Sequence, residues 1–120
     1  MTMNESAENY LETILILSQK HPVVRAVDIA AELDFKKSSV SVAMKKLRES
    51  NHITVSPEGF ISLTETGREV AERIYERHQV ISAWFTKLGV NPEVATEDAC
   101  RIEHVISAES FEALKKHINE

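Results

Sequence analysis

The chain has 120 residues, is 42% hydrophobic and 28% charged, and carries a formal net charge of −5. Such a length buries one modest core and a small satellite, and no apolar run approaches the roughly 18 residues that cross a bilayer. A single cysteine excludes an internal disulfide, and Met1 to Glu8 carries two acids and no base, against a secretory or transit leader, so a reducing cytoplasm is the expected compartment.

A first helix is expected from a Ser6 cap to about Lys20, with Tyr10, Leu11, Ile14, Leu15 and Leu17 at helical spacing. His21-Pro22 breaks it, because proline pushes its predecessor out of the helical region. A short helix over 24–33 turns Ile29, Ala30 and Leu33 inward, and a turn over 34–37 follows. The next helix, from about Ser38 to Glu49, buries Val40, Ala43, Met44 and Leu47. Between Lys36 and Arg48 lie five bases (Lys36, Lys37, Lys45, Lys46, Arg48) and no acid, whereas the chain from Thr64 onward holds eleven acids against seven bases. A basic patch on an acidic protein suits a binder that reads DNA through one small surface. Taken alone, the same run reads equally well as a solvated lysine face. Two short helices around a tight turn, the second basic, have the helix-turn-helix layout.

Ile53–Val55 and Phe60–Leu63 read as strands around Ser56-Pro57-Glu58-Gly59, and a hairpin at that place makes a winged helix. Thr64 caps a long helix whose Val70, Ile74, His78, Ile81 and Phe85 share a face and which Gly89 ends. Asn91-Pro92 opens the next helix, with Val94, Ile102, Val105 and Ile106 as its apolar side. Ser107 to Ser110 caps a last one, in which Phe111, Leu114 and Ile118 recur at i, i+3 and i+7. Those three residues suit a dimer interface or an ordinary intrachain core. The expected architecture is mainly α: a winged helix-turn-helix DNA-binding domain over 1–72, then an all-α dimerisation and metal-binding domain over 73–120.

The chemistry concentrates at Cys100, Glu103 and His104. Spacings of i, i+3 and i+4 bring a thiol, a carboxylate and an imidazole onto one helical face, and such donors prefer a transition metal to magnesium or calcium. The bland alternative is a surface Glu-His pair beside a small buried cysteine.

The chain resembles the iron- and manganese-dependent repressors of the diphtheria toxin repressor family. The likeness runs from Ala7-Glu8-Asn9-Tyr10-Leu11-Glu12 to the last helix. It is strongest at Asp98–Ser107, at Leu63-Thr64-Glu65-Thr66-Gly67 and at Arg77-His78. The resemblance implies a homodimeric, metal-activated winged-helix repressor of palindromic double-stranded operator DNA, in a two-domain form without an SH3-like domain. It implies metal ligands at His78, Cys100, Glu103 and His104, and at Glu12 as in the manganese branch. Asn9 stands where the family places a Met or Asp ligand and is a weaker donor. Ser82 and Thr96 replace a carboxylate and a histidine of the iron branch's ancillary site, which therefore looks incomplete. Cys100 belongs to the iron branch, because the manganese branch carries a carboxylate there.

A shell of thiolate, imidazole and carboxylate favours iron(II), cobalt, nickel or zinc over manganese(II). With cellular availability included, iron(II) is expected first and manganese(II) second; zinc, cobalt and nickel are candidates in vitro. The resemblance places Lys36, Ser38 and Val42 at base-reading positions, and Ser39, Ser41, Lys45 and Lys46 suit phosphate contacts, with Lys37 in the same basic run. A membrane, a small-molecule substrate and catalysis are not expected. The rival reading is a winged-helix regulator that senses an organic ligand or thiol redox state. A catalytic zinc site lacks glycine-rich or nucleophile-elbow context.

Overall fold

A computed structural model describes residues 4–119. Six helices and a two-stranded antiparallel sheet occur among them, in two compact units, Met1–Glu72 and Arg73–Glu120.

In the first unit, α1 (Glu5–Lys20) starts at Asn4, whose side-chain oxygen accepts the Ala7 N–H at 2.8 Å. The earlier start displaces the expected Ser6 cap and puts Glu5 and Glu8 in the first turn, where the helix dipole favours acids. Helix α2 (Ala26–Leu33) begins two residues later than its periodicity suggests, because Val24 serves the sheet: its carbonyl accepts the Ile61 N–H at 2.7 Å. The Asp28 carboxylate then takes the Arg25 N–H at 2.8 Å. Asp34, left-handed at φ 56°, turns the chain into α3 (Lys37–Glu49). Val40, Met44 and Leu47 of α3 are buried, while Ala43 is only half-buried.

Strands β1 (Ile53–Val55) and β2 (Ile61–Leu63) pair with Ile53 opposite Leu63 and Val55 opposite Ile61. The second is one residue shorter than expected because Phe60 closes the turn. Its carbonyl accepts the Ser56 N–H at 2.9 Å, and its N–H meets Ser56 Oγ at 3.0 Å. Gly59 supplies the φ of +87° that the turn requires. Leu11, Ile14, Ile29, Val40, Ile53 and Ile61 are buried in this unit.

Thr64 caps α4 (Glu65–Lys87) through Gly67 N–H at 3.1 Å. At Gly67 a Cβ would run into the backbone carbonyl of His52. Gly67→Ala is therefore expected to lower stability by about 1–3 kcal/mol, as overpacking does. Urea unfolding checks it: an unchanged midpoint would show that the His52 segment yields freely.

In the second unit, α4 ends on Gly89 (φ +102°), with Val90 N–H bonded to Phe85 O and Gly89 N–H to Thr86 O, the doubled closure that favours glycine at this place. Asn91 accepts the Glu93 N–H and opens α5 (Pro92–Ile102), and Ser107 accepts the Ser110 N–H and opens α6 (Ala108–Ile118). The inward face of α5 differs from the expected one. Ala95 and Ala99 are buried, while Val94 and Val105 are 46% and 69% exposed. Small side chains bring α5 close to its neighbours, with Ala99, Ile81 and Phe111 packed together beneath Val80, Phe85, Ile102, Ile106 and Leu114.

Candidate metal centre

Helix α5 stops at Ile102, and Glu103 is its C-cap, with N–H still bonded to Ala99 O. The chain then turns through His104 to Ile106, whose N–H returns to Ile102 O. The regular helix thus ends at Glu103, and His104 falls in the turn that follows. His78, which the resemblance also implies as a ligand, comes from α4. The donor atoms of His78, Cys100 and Glu103 all lie within 4.8 Å of one another.

The arrangement has a buried anion at its centre. Glu103 is 1% exposed. Its Oε2 lies 2.9 Å from His78 Nδ1, and Cys100 Sγ lies 3.7 Å from the same nitrogen. His104 Nε2 comes within 3.3 Å of the other oxygen, Oε1, without the alignment of a hydrogen bond, so Oε1 is buried with none. A buried polar atom left without a hydrogen bond costs about 1–3 kcal/mol, and more when charged. Cys100, then Glu103, accepts from the His78 ring, and both charges favour imidazolium against the opposing effect of burial, which raises its pKa to about 10. The cluster thus already holds one cationic charge, a proton. Thiolate, neutral imidazole and carboxylate are donors a divalent transition metal accepts, and the orphaned oxygen is one a cation would satisfy. The residues fit a metal.

In the first unit, Lys36, Lys37, Ser38, Ser39, Ser41, Lys45 and Lys46 are all exposed, and Val42 is 56% exposed. The basic end and outer face of α3 are accordingly open to a partner, and the hairpin follows directly.

Two family models match this chain. One, the N-terminal DNA-binding domain of iron-dependent repressors, matches residues 2–59, and the other, their metal-binding and dimerisation domain, matches 64–120. The chain belongs to the iron-dependent repressor family. A transcriptional regulator of Methanocaldococcus jannaschii is 35% identical over 94% of this chain and 92% of its own length. The regulator MntR of Escherichia coli O6:H1 is 33% identical over 92% of this chain and 72% of its own. Among solved structures, the manganese regulator SloR superposes with a TM-score of 0.84 at 28% identity, over 99% of this chain and 55% of that one. The mainly α, winged-helix expectation is met.

Within this member of the iron-dependent repressor family, Glu12 is buried and Asn9 half-buried on α1 of the first unit. Ser82 Oγ and Thr96 Oγ1 face each other at 3.5 Å, a hydroxyl pair with no strong metal donor. Phe111 is 3% exposed within its own unit, whereas Leu114 and Ile118 keep partial exposure. Sequence reading passed over one residue of the site: Arg77 is 9% exposed, and an arginine on a long charged helix gives no spacing signal that distinguishes it from surface.

Proposed function

We propose that this protein is a metal-activated transcriptional repressor that binds palindromic operator DNA as a homodimer in the cytoplasm, with iron(II) as first co-repressor and manganese(II) as second. The observation that carries the reading is the convergence of His78, Cys100 and Glu103 donor atoms at a buried carboxylate. A thiolate in the shell softens it relative to an all-oxygen and imidazole shell, and cellular availability then favours iron(II) over cobalt, nickel or zinc. His104 and Glu12, with Asn9 as a weak donor, complete the proposed shell. Metal binding to the DNA-competent state more tightly than to the other then shifts the population towards it. Two recognition helices about 34 Å apart then meet successive major grooves. Lys36, Ser38 and Val42 read base edges, Val42 through an apolar contact, and Lys45 and Lys46 hold phosphates. Leu114 and Ile118, with the edge of Phe111, contribute to the two-fold contact.

Binding to operator DNA, measured anaerobically with iron(II), manganese(II) or chelator, tests the proposal. Metal is expected to raise affinity, iron(II) most. Lys45→Ala should weaken all sequences alike and flatten the salt slope by about one unit. Identical affinity with metal and with chelator would instead favour a regulator that senses an organic ligand or thiol oxidation.

A further inference from the structure

The second unit buries a cation beside its donor cluster that the metal reading does not use. Arg77 precedes His78 on α4 and is 9% exposed. Its Nη1 donates to Glu103 O at 3.2 Å and to Ile106 O at 2.8 Å. Its guanidinium carbon stands 5.4 Å from the centre of the Phe111 ring. One side chain therefore ties the helix that carries His78 to both ends of the turn that begins at Glu103, and rests on the first buried residue of α6.

We infer that Arg77 is a positioning residue for the metal centre, holding the turn 103–106 so that the Glu103 carboxylate is presented to the ion before it arrives. This deepens the proposed function and rests on its metal site. The physical case starts from the end of α5. Helix hydrogen bonding ceases at Glu103, so the last carbonyls need partners from elsewhere, and the backbone that bears a buried carboxylate would otherwise depend on the short turn alone. Arg77 supplies two charge-assisted bonds from one nitrogen, Nη1, and the ring of Phe111 limits where the planar guanidinium can go. His78 and Arg77 are consecutive, so a shift of α4 moves a ligand and the brace of a second ligand together. Groups that orient ligands without touching the metal typically contribute 10–100-fold in affinity.

The test uses the full chain and cobalt(II) as the probe, titrated anaerobically into wild type, Arg77→Met, Arg77→Lys and Ile81→Ala. Affinity, the visible spectrum and the melting temperature of the metal-free protein are read for each. Ile81→Ala removes buried volume from the same core without touching the donors or the turn. Arg77→Met is expected to bind cobalt roughly 10–100-fold more weakly, with altered ligand-field bands. Arg77→Lys, which keeps a charged donor but not the planar guanidinium, should fall between it and wild type. Ile81→Ala should melt earlier yet bind nearly as wild type does. Should Arg77→Met not fold, Arg77→Lys is judged by the same readouts. A folded Arg77 variant with wild-type affinity and spectrum would overturn the inference. So would a loss in Ile81→Ala equal to that in the Arg77 variants, since the effect would then be general loosening. A wild-type complex without any thiolate-to-cobalt band would overturn the metal site itself, a distinct failure visible before any variant is compared.

Discussion

Cys100→Ser is expected to lower affinity for cobalt(II), zinc(II) and iron(II) by at least about 100-fold, and to lower manganese(II) affinity far less. Removing a group that merely orients a ligand already costs roughly 10–100-fold, and Cys100 Sγ is itself one of the three donor atoms. Serine keeps the size but offers a hydroxyl, a poor ligand for a soft or borderline ion, whereas manganese(II) gains little from a thiolate at the outset. Cys100→Glu should move preference towards manganese by hardening the shell. Competition titrations give the ratios, and the cobalt complex of the wild type should show a thiolate charge-transfer band that both variants lose. Unchanged affinity for every metal in Cys100→Ser would make Cys100 a bystander and remove the main support for iron.

The second large effect is that of pH. A metal must displace the proton that Cys100 and Glu103 hold on His78, whose pKa stands at about 10. Below that value each unit of pH costs close to a factor of ten in apparent affinity from this proton alone. Between pH 8 and pH 6 the loss is then about 100-fold, and one proton per ion from His78 should appear in buffer-dependent calorimetry. The metal-free protein should show the opposite trend. A folded pKa raised from 6.5 contributes stability that is fully present below 6.5 and is lost as pH rises through about 10. Its melting temperature should therefore fall across that window, and His78→Ala should remove the share of both dependences that His78 contributes. A metal affinity indifferent to pH would mean that the imidazole is not a ligand.

The winged helix was legible because it rests on local signals. Period-3.6 apolar residues in the first three helices, a Ser-Pro-Glu-Gly turn, and Thr64 ahead of Gly67 each name their own structure. Errors arose where a distant partner decides. Val24 looked helical until Ile61 claimed its carbonyl. The apolar side of α5 was read from Val94, Ile102, Val105 and Ile106; Ile102 and Ile106 do pack on the core, but Ala95 and Ala99 are buried while Val94 and Val105 stay exposed. Three of the expected ligands, His78, Cys100 and Glu103, lie together in the structure, and the helical spacing that pointed to the cluster applies to only part of it. Cys100 and Glu103 do lie one turn apart, yet the helix ends there, and the third donor, His78, comes from 22 positions upstream of Cys100. Spacing could not reveal that convergence; the family resemblance did. Arg77 was named only within the Arg77-His78 likeness and given no role, since only the two carbonyls it grips mark it as interior.

The junction between α3 and α4 limits how such a regulator can work. Leu47 O accepts the N–H of His52, His52 O accepts that of Thr64, Asn51 O accepts the Thr64 hydroxyl, and Gly67 admits the His52 carbonyl against its bare Cα. The DNA-facing helix and the first turn of α4 are spliced into one stiff corner, with no slack for α3 to swivel by itself. Tuning of operator fit by re-aiming the reading helix within its own domain would require several of these joints to open together. Under the proposed function, control is then exerted on the domain as a single piece.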